Sequence, residues 1–281
     1  MSNAISPLAP LPRSSVWRNL RLNTRLFLEG ALLSYIALFR WLRPMTYLAS
    51  KVFMPLWQML FFSFLGMFAT GQEPTYYVIG NAMQITAVSG IFGVTMSIGG
   101  DRWEGTLPYL FGTPANRMAM VLGRAFFHIL DGMIGVVLAF AWGVLLLGLD
   151  LSQTNPGALA VVVLASTIST AGLGLLLGCL SLITLNVMFV NNSVYFLLLI
   201  FSVANIPVSS LPAWMQAISF CLPLTRGIAA ARLVIEGASL RSVAPLVTGE
   251  LVIGAVYALL GYFLFRSFEQ QAKKRGTLEA F

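Results

Sequence analysis

The sequence predicts an all-α membrane protein of six transmembrane helices, and three observations carry that prediction. Apolar residues make up 58% of the 281-residue chain and charged residues only 10%, against roughly 25% charged in an ordinary soluble domain. Six apolar runs, at about 51–70, 77–99, 122–148, 158–184, 187–206 and 245–267, each approach the roughly 20 residues a bilayer crossing needs. The basic residues gather at the borders of these runs. A soluble fold of this size could not coat its surface with so few polar groups, so lipid must replace water over much of it.

In chain order, residues 1–25 carry four Arg and three Pro with no continuous apolar stretch. They read as a cytoplasmic tail rather than a cleavable signal peptide, which leaves the first span to direct insertion. Residues 26–43 are apolar on one side but interrupted by Glu29, Arg40 and Arg43. That pattern suits an amphipathic helix lying in the interface, with Tyr35 and Trp41 at headgroup level, and Pro44 ends or kinks it. The spans are joined by 70–76, by a long segment 100–121, by 150–157, by a short break near Thr184–Asn186 and by 207–244. Residues 271–281 form a short C-terminal tail. Seven basic residues precede or open the first span (Arg13, Arg18, Arg21, Arg25, Arg40, Arg43, Lys51). Arg102, Arg117 and Arg124 flank the long segment, and Arg266, Lys273, Lys274 and Arg275 follow the last run. The positive-inside rule then places both termini and 100–121 in the cytoplasm.

The segment 207–237 falls outside by this count, in spite of Arg226 and Arg232. It is apolar enough to enter the bilayer and is broken by Pro212, Pro223 and Gly227. Either two short helices dip in as a re-entrant hairpin, or an amphipathic hairpin lies on the surface. Irregular backbone at membrane depth must be covered by protein or line a wet cavity.

The net charge of +7 does not indicate nucleic acid, because it sits at span borders and not in a stripe with exposed aromatics. Cys179 and Cys221 fall on different levels of this topology, and no cysteine or histidine cluster suggests a metal. One His, no metalloprotease or serine-hydrolase signature, and lysines only at 51, 273 and 274 leave no phosphate-cradling loop of the GxxxxGK[ST] kind. The chain is read as no enzyme and as carrying no cofactor of its own.

Within the spans, His128 and Asp131 lie i,i+3 on one helix face. An intramembrane charge is a functional hypothesis by default, so the two could couple transport to an ion gradient. Alternatively Asp131 pairs with Arg124, about two turns away. Glu250 reads as structural, near the outer surface. Ser166, Thr170, Gly174 and Gly178 recur every fourth residue, a small-residue ridge for close helix packing. Asn192, Tyr195, Ser202 and Asn205 form a polar stripe on the fifth span, and Asn81, Gln84, Thr86 and Ser89 add one on the second. Such uncharged stripes either line a transport pathway or bond neighbouring helices; Asn81, Gln84, Asn192, Tyr195, Ser202 and Asn205 are the pathway candidates. No charged ring or carbonyl filter suggests an ion pore.

Residues 100–124, GDRWEGTLPYLFGTPANRMAMVLGR, resemble the cytoplasmic coupling region of type-2 ATP-binding-cassette (ABC) exporter permeases. The Glu-Gly-Thr-Leu, the Thr-Pro seven residues on and the following Arg carry the likeness. LPAWMQAISFCLPLTRGIAAAR, from Leu211, resembles the extracellular re-entrant segment of the same family. The resemblance spans about residues 30–270. It implies the membrane subunit of an exporter of hydrophobic or amphipathic substrates (drugs, antibiotics, lipids or lipid-linked glycans) in a bacterial plasma membrane. It further implies a pair of permeases, identical or paralogous, bound to two cytoplasmic ATPase subunits that hold Mg-ATP. By the same likeness Asp101, Arg102, Glu104, Gly105, Thr106, Pro114 and Arg117 are the ATPase-coupling residues. Pro212, Trp214, Pro223, Thr225 and Arg232 are those of the re-entrant gate.

Overall fold

The computed structural model describes residues 16–41, 43–70, 73–103, 105–106, 116–181 and 186–275, and every regular element among them is helical. Among the described residues ten α-helices follow in order: α1 (Val16–Trp41), α2 (Pro44–Thr70), α3 (Pro74–Ala87), α4 (Val94–Trp103), α5 (Arg117–Leu147), α6 (Pro156–Ser181), α7 (Val187–Phe201), α8 (Ala213–Cys221), α9 (Thr225–Ile235) and α10 (Leu240–Arg275). A π-helical turn, Val88–Gly93, joins α3 to α4, so that Pro74–Gly100 is one long apolar element.

Among the described residues five elements are long and apolar enough to cross a bilayer: Met45–Ala69, Pro74–Gly100, Met118–Leu147, Pro156–Ser181 and Leu240–Phe268. They match five of the six expected runs. The run 187–206 does not form one helix of that length. Its helix stops at Phe201 after 15 residues, about 22 Å at 1.5 Å per residue against a core of about 30 Å. Beyond it Val203 takes φ 66°, a left-handed conformation rare for a β-branched residue. The cause is tertiary: a Cβ on Gly80 would lie 2.1 Å from Ala204 O, so this segment crosses α3 in direct backbone contact.

The N-terminal helix also departs from expectation. It begins at Val16, so residues 16–25, read as tail, are helical. It packs along the start of α5, where Cβ atoms added at Gly30 and Gly123 would meet Met120 O at 2.7 Å and Phe27 O at 2.0 Å. Phe27 and Phe126 pack with ring centroids 5.4 Å apart and planes tilted by 49°, and Asn116 Nδ2 donates to Asn23 Oδ1 at 3.2 Å.

Helix α6 is the hub. The Ser166–Thr170–Gly174–Gly178 ridge packs as the four-residue spacing predicts. A Cβ on Gly174 would be 2.1 Å from Gly90 O, one on Gly178 2.5 Å from Ile98, and Ser166 meets Gly227. The opposite face lies on α10, where Gly172 and Gly254 let the two backbones touch and Cys179 Sγ reaches Gly261 O at 3.2 Å. Small residues suit such crossings because a lipid-embedded bundle is held by close packing rather than by expulsion of water. The core around α6 is apolar and contiguous, running through Met59, Met83, Ile91, Leu198 and Ile228.

The outer faces are apolar too. Trp57, Phe61, Phe64 and Phe68 on α2 are 63%, 61%, 59% and 92% exposed, and Val252, Leu259 and Phe263 continue this character on α10. Water-soluble monomers do not carry faces of this extent; lipid or another apolar chain covers them. Helices α8 and α9 meet at 86°. Helix α9 is buried against α10, α6 and α3, whereas α8 leaves Trp214 and Phe220 exposed.

Candidate functional site

Two polar constellations lie inside the bundle. The first surrounds Asp131, about 21 Å along α5 from its start and therefore near the middle of this 31-residue helix. Its carboxylate accepts from Lys51 Nζ at 2.5 Å, from Ser89 Oγ at 2.9 Å and from Tyr47 OH. Lys51 Nζ also donates to Ser89 Oγ at 3.1 Å. Gly135, one turn on from Asp131, leaves the space that the Lys51 stem occupies, with its Cβ position 3.4 Å from Lys51 Cε. Ser89 belongs to the π-helical turn, whose wider winding shifts side chains from their α-helical positions, a device frequent at functional sites.

The expected Asp131–Arg124 pairing is therefore corrected: the partner is Lys51, read from sequence as a border residue. Arg124 Nη1 instead donates to Ser97 O at 2.6 Å. His128, on the same face as Asp131, bonds Ser97 Oγ through Nε2 at 2.7 Å and packs on Gly93, where a Cβ would be 2.3 Å from its ring. The two groups thus have separate partners.

The second constellation holds most of the predicted pathway residues. Asn81 Nδ2 donates to Asn205 Oδ1 at 2.8 Å, and Ser202 Oγ donates to Gln84 Oε1 at 3.1 Å. Gln58 on α2, which sequence reasoning missed, links them: its Nε2 donates to Asn81 Oδ1 at 3.3 Å and its Oε1 accepts from Tyr195 OH at 2.7 Å. Asn192 does not join, being exposed and bonded to Met188 O of its own helix. Asn191, also missed, is buried instead. Its four-residue spacing before Tyr195 was the available signal.

Of the hairpin residues, Arg232 Nη2 donates to Tyr76 O, Val203 O and Ala204 O at 3.1, 2.8 and 3.2 Å, with its guanidinium 3.6 Å above the Tyr76 ring. It neutralises the carbonyl-rich end of α7, where a cation is favoured. Thr225 Oγ1 donates to Ser219 O at 2.7 Å across the bend, and Pro223 is buried inside it while Pro212 and Trp214 are exposed. Glu250 on α10, fully buried, accepts from Leu224 N at 2.5 Å and Gly227 N at 3.2 Å. It caps α9 from another helix, since Leu224 at the cap position supplies no side-chain acceptor. Unpaired N–H groups at a helix start need such a partner.

The coupling candidates lie between α4 and α5. Asp101 and Arg102 are in the last turn of α4 and Arg117 opens α5; their side chains, together with Glu104 and Pro114, lie outside the described residues. Gly105 takes φ 66° and, with Thr106, is exposed. Asn116 caps α5 by accepting from Ala119 N at 3.3 Å and bonds α1 through Asn23, so the start of α5 and α1 share one end of the bundle.

The model of the ABC-2 type transporter family matches residues 30–235, which takes in residues 100–121, both polar constellations and helices α8 and α9. No curated protein matches the chain. The matched domain is a transport membrane component, and its family implies association with ABC ATPases. With a family match over most of its length and several helices able to span a bilayer, this multi-pass chain belongs to the ABC-2 type transporter family.

Proposed function

We propose that this chain is the permease subunit of an ATP-driven exporter, moving a hydrophobic or amphipathic substrate out of the cytoplasm or inner leaflet. In this reading it sits in a bacterial plasma membrane with both termini cytoplasmic. It pairs with a second copy or a paralogue, and two ATPase subunits holding Mg-ATP drive it. The observation that carries the reading is the platform at one end of the bundle. There α1 is locked on the start of α5 through Gly30, Gly123 and Asn23–Asn116, and Asn116 is the residue to which the coupling candidates lead in sequence. A push delivered to that platform passes into α5 as a rigid-body movement, because helices in backbone contact cannot slide independently.

Helix α1 then lies in the inner interface, and the α8–α9 hairpin re-enters from the outer face, held by Glu250 and Arg232. Substrate passes along the polar seam between α3 and α7, with its apolar part against the exposed aromatics of α2 or the second permease. The rival reading, an ion-gradient transporter using His128 and Asp131, loses support from the geometry. Asp131 has its counter-charge in Lys51 and His128 is bonded to Ser97.

The test is Glu104→Ala. It is expected to leave expression and folding intact while ATP turnover no longer drives export. Wild-type export by a normally expressed variant would remove the coupling assignment.

A further inference from the structure

Helix α7 runs antiparallel to α3 and α4 in a constant register. Asn205 meets Asn81, Ser202 meets Gln84, Tyr195 meets Phe92 with ring centroids 5.9 Å apart, and Val187 meets Gly99. The same register sets Asn191 opposite Thr95, whose hydroxyl is committed to Gly174 O at 3.2 Å. The seam is thus polar at several successive levels, and none of these residues is charged.

Several hydrogen-bonding groups along this seam are unused. Gln84 Nε2, Asn205 Nδ2 and both amide atoms of Asn191 are buried without a partner among the described residues. Buried polar groups in native proteins are nearly always paired, and exceptions call for a cause such as function or an unseen ligand. Asn191 is the sharpest case, because it is 0% exposed and a leucine, with the same branching and number of heavy atoms, would leave nothing unpaired. Three of the four unused groups are donors.

We propose that this seam binds the neutral, oxygen-bearing polar part of an amphiphilic substrate, its hydroxyl, ether or carbonyl oxygens accepting from Asn191, Gln84 and Asn205. The proposal rests on the permease reading and names the substrate class for it. The seam opens when α7 moves off α3, and the substrate's oxygens replace the Asn81–Asn205 and Ser202–Gln84 bonds that close it. Exposed aromatics border the seam, Trp57 beside Gln58 and Phe196 beside Tyr195, at 63% and 57% exposure. They contact the apolar body of the substrate while its polar part enters. An anionic headgroup is disfavoured here. Lys51 is paired with Asp131, and the groups left to a substrate at Asn191, Gln84 and Asn205 are uncharged amides, so a phosphate among them would enter without a counter-charge. Arg232, whose Nη2 is shared by three carbonyls and whose Nε has no partner among the described residues, lies at the Ala204 end of the seam.

The experiment uses the chain purified with its ATPase in phosphatidylcholine nanodiscs. ATP turnover is titrated with two lipids sharing the same acyl chains, a monoglucosyl diacylglycerol and an anionic phosphatidylglycerol. The glucolipid is expected to alter turnover at a concentration at least tenfold below that of phosphatidylglycerol. Asn191→Leu should raise its half-maximal concentration about tenfold, the scale of one or two neutral hydrogen bonds, with the thermal midpoint unchanged or higher. Gln84→Met should shift the response in the same direction. An equal or stronger response to phosphatidylglycerol, an unaltered glucolipid response in Asn191→Leu, or a lowered midpoint in that variant would each overturn the proposal. Turnover that Glu104→Ala uncouples but neither lipid alters would overturn the substrate class and leave the permease reading standing. Absence of any associated ATPase would remove both.

Discussion

Removing one member of the Lys51–Asp131 pair should cost far more than removing both. Asp131→Asn keeps acceptors and donors for Tyr47 and Ser89 but leaves the Lys51 ammonium, 14% exposed on its side chain, without a counter-charge. Lys51→Met strands the carboxylate in the same way. Breaking a buried pair from one side costs about 3–5 kcal/mol, whereas replacing both members with groups of matching volume is near neutral or stabilising. The double variant Lys51→Met/Asp131→Asn retains Tyr47 and Ser89 as partners for the amide, so it should recover most of the loss. The coupling energy expected from the cycle is at least about 2 kcal/mol, above the scatter of independent sites. Unfolding by a denaturing detergent, followed by tryptophan fluorescence in each of the four proteins, measures it. Export assayed in the same set separates structure from ion coupling: the double variant should still export. A coupling energy below about 0.5 kcal/mol would refute the geometry. A stable double variant without export would refute the structural role given to Asp131.

Two further outcomes follow from the packing. Glu250→Ala removes both acceptors that close the start of α9 and leaves two buried N–H groups unpaired, at about 1–3 kcal/mol each, so it should lower stability by about 3 kcal/mol. Glu250→Gln, which keeps one acceptor oxygen, should lose less, and comparing detergent-unfolding midpoints of the two variants checks this. Gly172→Leu drives a side chain into Gly254 O, already 2.3 Å from a bare Cβ position. It should prevent the α6–α10 crossing and appear as loss of folded protein in fluorescence-detected size exclusion. A neighbouring lipid-facing change, Leu164→Ile at 38% exposure, should be silent there.

Much of the architecture was legible because it depends on local runs. Length and apolarity located five spans, and four-residue spacing identified the α6 ridge. What the sequence hid depends on which helix lies beside which. Lys51 looked like a flanking charge, because nothing local shows that Gly135 leaves room for its side chain to reach Asp131. The run 187–206 is apolar enough to span, yet Gly80 and Arg232 draw residues 203–204 out of the helix. On α7, Asn191 and Asn192 are adjacent, and a helix can turn only one of them into the seam. The 192–195–202–205 and 191–195–202–205 spacings fit a helical face about equally well, so only packing against α4 decides between them. The N-terminal helix was placed too late because its Arg-rich first turns carry little apolar signal, although its glycine contact with α5 fixes it.

The central claim is that this chain works as the membrane component gripped and driven by a separate ATPase. Purification in native lipid, with identification of co-purifying subunits and assay of vanadate-sensitive ATP turnover, tests it most directly. The account predicts an ABC ATPase bound to the wild-type chain, with turnover that changes when export substrate is added and loses that dependence in Glu104→Ala. Export that persists with the ATPase deleted, together with no ATPase bound to the purified chain, would contradict it.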